Sequence, residues 1–230
     1  MYLSYEVPNL DFEYLKNFAS TASLKSFIGG VSNSAVSLIN GHIIGDNNSI
    51  ISVTNTLVGG KDNTLQSSNN AITSGKNNNM SALTDSIVSG DTNVVVSSNR
   101  NEILGKNINV DNCEDSIIIG NAHDIDDISR CAVFGDTNKA SGLTVNSLIV
   151  GKNNKEENKS GNNITSGGLN EINDSSNNMT SGVFNRLTDV SGGIVGGHNN
   201  QLTKLENSLI IGKDSIVSAT CLEFTQSSFL

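Results

Sequence analysis

Tryptophan is absent from this 230-residue chain, and its three tyrosines, Tyr2, Tyr5 and Tyr14, all stand at the start. The remainder therefore lacks the aromatic platforms on which polysaccharide-cutting enzymes stack sugar rings. The single proline is Pro8, so nearly every later residue keeps a backbone N–H to donate to a ladder. Three cysteines at unrelated positions, Cys113, Cys131 and Cys221, give neither a disulfide framework nor a metal-binding spacing. Lys and Arg total 14 against 23 Asp and Glu, for a net charge of −9. Nucleic-acid binding needs a basic footprint, and none is present. No run approaches the roughly 20 apolar residues of a membrane span, so no membrane insertion is expected. The segment Met1 to Leu10 has no basic region and no unbroken apolar stretch, and does not read as a signal peptide.

What the chain has in abundance is repetition. A marker glycine recurs thirteen times, at Gly30, Gly45, Gly60 and onward to Gly212, in steps of fifteen residues with two of sixteen around Gly151. A short fixed period lets each unit bury its apolar side only against its neighbours, which defines a solenoid. Fifteen residues are too few for a helix pair and fit one coil of β-structure.

Each column of the repeat has its own chemistry. Two residues before the glycine every side chain is β-branched, as in Ile28, Ile43, Val58, Thr73 and Ile118. Such residues suit a stacked parallel strand. One position earlier stand mostly large apolar residues, among them Phe27, Leu57, Ile72, Ile117 and Leu209. Adjacent strand residues point to opposite faces, so these strands are apolar on both sides. One face must fill the coil, and the other requires a second buried surface. Ten of the thirteen coils carry Asn three residues after the glycine, from Asn33 to Asn200. Gly-x-x-Asn reads as a tight corner whose amides ladder between coils. A further inward column runs from Ala35 through Ile50 and Leu65 to Val217, and Glu156 alone breaks it. A second corner, commonly Asn as in Asn40 and Asn55, closes the coil.

The phrases Ser116-Ile117-Ile118-Ile119-Gly120, Ser147-Leu148-Ile149-Val150-Gly151 and Ser208-Leu209-Ile210-Ile211-Gly212 resemble the head repeat of trimeric autotransporter adhesins. Gly-x-x-Asn repeats of this kind are also similar to those of bacteriophage and viral fibre and spike proteins. The resemblance covers about residues 26 to 219. It implies a left-handed parallel β-roll whose three copies pack around a shared axis, which would bury the second apolar face. The expected fold is therefore an all-β, single-stranded-coil parallel β-roll or β-helix solenoid of about thirteen coils, packed as a parallel homotrimer. The expected organisation is an anchor or cap at 1–25, the repeat domain at 26–219 and a cap or tip at 220–230. A secreted adhesin would add a stalk and a membrane anchor, and the chain contains neither pattern. Synthesis inside a cell and assembly onto a particle are expected instead.

Candidate chemistry is sparse. Asp124, Asp126 and Asp127 beside His123 form the best acidic cluster, and a solvated corner is the simpler reading of it. His42 and His198 have no Cys or carboxylate partners at ligand spacing. A sixteen-residue step containing Lys155-Glu156-Glu157-Asn158-Lys159 should bulge at a corner while the rod continues through it. Aromatics concentrate at the ends, and Asp11 to Phe18 is compatible with a short helix. Tyr5, Phe12 and Tyr14 are accordingly the expected anchors on a partner, since ring surfaces carry much contact energy. The functional expectation is a virion fibre or spike, tail or capsid. It is attached through residues 1–25 to another virion protein and presented to a host surface receptor or glycan. No catalytic residue, metal or cofactor is expected, and the chain is expected not to be an enzyme. A cell-surface adhesin head module is the alternative, with a polysaccharide-degrading spike third.

Overall fold

A computed structural model describes residues 18–19, 27–36, 40–52, 54–96, 99–111, 114–126, 128–142, 144–158 and 160–218. The described residues contain strands, turns and bends and no helix. Five-residue strands ending one residue past the marker glycine, from Phe27–Val31 to Leu209–Lys213, stack into a thirteen-stranded sheet. All its pairings are parallel, and glycine stands on glycine, as in Gly45↔Gly60 and Gly135↔Gly151. A second row follows each corner: Phe18–Ala19, then Ser34–Val36, Ser49–Ile51 and their successors to Ile216–Ser218, form a fourteen-stranded sheet. The third side is narrower. Ile128–Ser129 pairs with Thr144–Val145, and single bridges link Val145, Gly161, Ser176, Ser191 and Glu206 in turn. The result is a three-sided parallel β-solenoid of about twelve complete turns, bracketed by the thirteen strands of the long face.

The corners explain the polar columns. Non-glycine residues with positive φ recur two after the glycine, as at Asn47 (54°), Asp62 (55°) and Asn77 (54°). They recur again at the closing corner, at Asn40 (53°), Asn55 (49°) and Asn70 (49°). Asn and Asp tolerate this region better than other residues, which is why they fill these positions. The first corner differs from the sequence reading in one respect. The strained residue is the one before the recurring Asn, and that Asn points inward and is buried.

The marker glycine and the buried Asn work as one device. Gly45 has φ of +133°, and a Cβ there would lie 1.8 Å from the Gly60 carbonyl oxygen in the next coil. No side chain fits such an approach. That proximity lets each Asn amide reach the next coil's glycine carbonyl, as Asn48 Nδ2 does to Gly60 O at 3.1 Å. Along the ladder Asn63 Nδ2 donates to Asn48 Oδ1 at 3.0 Å, and Asn63 N donates to the same oxygen at 3.1 Å. The expected amide ladder is therefore present, and its members satisfy one another inside the coil.

The two faces of the long strands divide as their alternation requires. The β-branched column faces inward, with Val58, Val88, Ile103, Ile118, Val133 and Ile149 fully buried. Opposite it lies the other inward column, including Ile50, Leu65, Ile125 and Leu187. The two sixteen-residue steps keep this register, with Ala140, Glu156 and Ile172 stacked in line. Each extra residue is absorbed at one corner, near Gly142 (φ 71°) and Asn158 (φ 56°). The bulge and the uninterrupted stack both match expectation. At the amino-terminal side, Phe18–Ala19 is a strand that pairs with Ser34–Ala35, so the helix expected for Asp11 to Phe18 does not include Phe18. Residues 11–17 lie outside the described residues.

Candidate functional site

The long face leaves its outward side chains without cover. Three residues before the marker glycine stand Phe27, Leu57, Ile72, Ile87, Ile117, Ile164, Met179, Ile194 and Leu209, with exposures from 41% at Ile87 to 53% at Phe27. Ile44, Val150 and Ile211, one residue before the glycine, add to the same exposed side. Single exposed apolar residues are ordinary, but a run of them down one sheet face, broken at His42, Glu102 and Ala132, is unusual for a surface left to water. Beside it, the residue after the glycine carries charge of both signs, as in Asp46, Lys61, Lys76 and Asp91.

The described members of the candidate histidine and acidic cluster do not converge. His123 occupies the ladder position that Asn fills elsewhere and is buried. Its Nδ1 accepts the Asn138 backbone N–H at 3.2 Å, and its Nε2 lies 3.4 Å from the Ile119 carbonyl. That pattern places the proton on Nε2, so the ring copies both roles of an Asn amide. Burial lowers its pKa from the ordinary value of 6.5. Asp124 points out to Lys139 at 3.7 Å. Asp127 lies outside the described residues. Among the described residues no group of three or more His, Cys, Asp and Glu converges as a metal site. His42 is exposed, and His198 packs edge-on against Phe184 with centroids 5.6 Å apart. Tyr5, Phe12 and Tyr14 lie outside the described residues, as does the segment 219–230.

Glu156, the one break in its column, is the least expected interior group. It is fully buried, and its Oε1 accepts the Thr165 hydroxyl at 2.6 Å. Burial raises its pKa above 4.5, and donation from Thr165 and Ser147 offsets this only in part. The odd residue was visible in the sequence; the hydroxyls gathered around it were not, because Thr165 and Thr180 passed as ordinary β-branched core. Leu169 and Phe184 were also missed. They hold positive φ (57° and 59°) at corners that other coils fill mainly with small or polar residues, and both are exposed.

No protein-family model matches the chain, and no curated protein matches it. Among solved structures it matches a "putative acetyltransferase" from Desulfovibrio desulfuricans G20, at 8% identity, over 92% of this chain and 68% of that one, with a TM-score of 0.22. It also matches the polySia-specific acetyltransferase NeuO, at 12% identity, over 74% of this chain and 83% of that one, with a TM-score of 0.20. The expectation that the chain is not an enzyme is corrected: both matched structures are acetyltransferases by name. The physical reason is that missing aromatic platforms speak to glycan cleavage alone and leave other chemistries open. At these TM-scores the likeness assigns neither activity nor substrate to this chain.

Proposed function

We propose that the chain is the rigid shaft of a homotrimeric virion fibre or spike, its copies packed in parallel through the long-face stripe. The observation that carries this reading is the exposed apolar column from Phe27 to Leu209. Its positions repeat once per coil, about 4.8 Å apart, with His42, Glu102 and Ala132 interrupting the large apolar run. A second copy of the same chain has the same pitch, so knobs and gaps match over the whole length of the rod. A globular partner meets that pitch over only a few coils. The mixed charges beside the stripe suit the rim of such a contact, where polar groups stay wet. The resemblance to trimeric adhesin heads supports three copies around one axis.

In this reading residues 1–25 attach the shaft to another virion protein, with Tyr5, Phe12 and Tyr14 as anchors. The far end or the exposed corners meet a host receptor or glycan. Because Phe18–Ala19 belongs to the stack, deleting residues 1–17 should leave the shaft folded and prevent its incorporation into particles. Images of labelled protein on purified virions, with and without this deletion, test the proposal. Projecting density that the deletion removes is the expected result. Unlabelled particles, or full copy number of the shortened chain, would count against it.

A further inference from the structure

The apolar interior is not continuous. One cluster of buried side chains runs from Ala35 to Ile149 and a second from Leu187 to Ile210. Between them the buried positions include Glu156, Ser160, Thr165, Ser175 and Thr180. Thr165 and Thr180 are direct partners in the long face. The Thr165 hydroxyl serves Glu156 Oε1, whereas Glu156 Oε2 and the hydroxyls of Thr144 and Thr180 have no partner among the described residues. Both corner insertions, near Gly142 and Asn158, fall at the edge of the same stretch.

We propose that this polar seam is a pH-sensitive weak point dividing the roll into two separately opening blocks, closed while Glu156 carries a proton and loosened when it loses it. Among the described residues no cation faces the carboxyl. On its own strand Lys155 and Glu157 pair with each other at 2.7 Å, both more exposed than the buried residue between them. On the strand before, Lys139 reaches Asp124 at 3.7 Å, and on the strand after, Glu171 holds Arg186 at 3.3 Å. Ala140 and Ile172 stack directly on Glu156. The nearby Cys131 thiol is buried and its pKa is pushed up to about 11, chiefly by burial, so it stays neutral. A carboxylate formed here is therefore offset only in part, by the Thr165 and Ser147 hydroxyls and the Asn163 amide and by no facing cation among the described residues, which is costly.

The sign follows from linkage. The folded carboxyl titrates above 4.5, so the seam is tightest below the unfolded value and loosens as pH climbs through the folded one. In that window, opening that releases one proton grows about tenfold per pH unit.

Hydrogen exchange on the full chain between pH 4 and 9, corrected for intrinsic exchange, tests this. Opening of peptides spanning 144–180 should rise about tenfold per pH unit within the window, while peptides from 57–96 and 187–210 stay flat. Glu156→Gln keeps an acceptor for Thr165 and cannot ionise, so its seam should lose the slope. Glu156→Ile would join the two apolar clusters and should exchange more slowly at pH 8 than the wild type. The same slope in Glu156→Gln as in the wild type, or equal protection across all three segments, would overturn the proposal. Should either variant fail to fold, the wild-type comparison between segments still decides.

Discussion

Asn63→Ala isolates the ladder more cleanly than any other single change. Asn63 Nδ2 reaches Asn48 Oδ1 at 3.0 Å and Gly75 O at 3.1 Å, and its Oδ1 receives Asn78 N at 3.2 Å and Asn78 Nδ2 at 2.9 Å. Truncation leaves the Asn78 N–H and the Gly75 carbonyl without these partners inside the coil, at about 1–3 kcal/mol for each group left unpaired. Asn48 Oδ1 keeps the Asn63 backbone N–H at 3.1 Å, so that end of the ladder is spared. Together these losses make about 2–6 kcal/mol, a large share of an ordinary domain's stability. Asn121→Ala is the control, because its amide bonds Asp136 only at the exposed surface, at 3.3 Å; it should fall within about 0.5 kcal/mol of the wild type. Asn63→His should cost less than Asn63→Ala, since His123 already fills the equivalent position with one donor and one acceptor. Urea unfolding at one fixed protein concentration measures all three. An Asn63→Ala protein as stable as Asn121→Ala would refute the claim that the buried amides hold the coils together.

Two adjacent isoleucines separate folding from association. Ile118→Asp puts a carboxyl into a fully buried position and should abolish folding of its coils, read as loss of β-sheet signal in circular dichroism. Ile117→Asp, on the exposed side at 41%, should leave that signal intact and dissociate the assembly in gel filtration. His123 sets an opposite pH dependence to Glu156. With its folded pKa lowered below 6.5, its contribution is present above 6.5 and declines as pH falls through the folded value. His123→Asn should therefore melt at a higher temperature than the wild type at pH 5 and differ less at pH 8.

The repeat, the strand phase and the interior columns were legible because stacking forces each residue type into a vertical line. A β-branched residue at thirteen successive positions has no helical explanation, and Ile118 is buried where the alternation placed it. The corners were read with less success. An Asn can serve either as a residue with positive φ or as a buried amide, and spacing alone did not separate Asn47 from Asn48. The structure assigns the first role to Asn47 and the second to Asn48. The seam was half legible: Glu156 stood out by charge, but the partners of a buried carboxyl depend on which neighbours reach across coils. Thr165 lies nine residues away in sequence. The surface stripe was anticipated as a second apolar face, though which face would be the inner one was open until the long strands were placed.

The mass of the full chain in solution tests the central claim most directly. Light scattering on gel-filtered protein should give three times the 24.2 kDa chain mass, with the same mass retained on dilution to the lowest readable concentration. A stable monomer of 24.2 kDa, folded and with its long-face stripe open to water, would contradict the account.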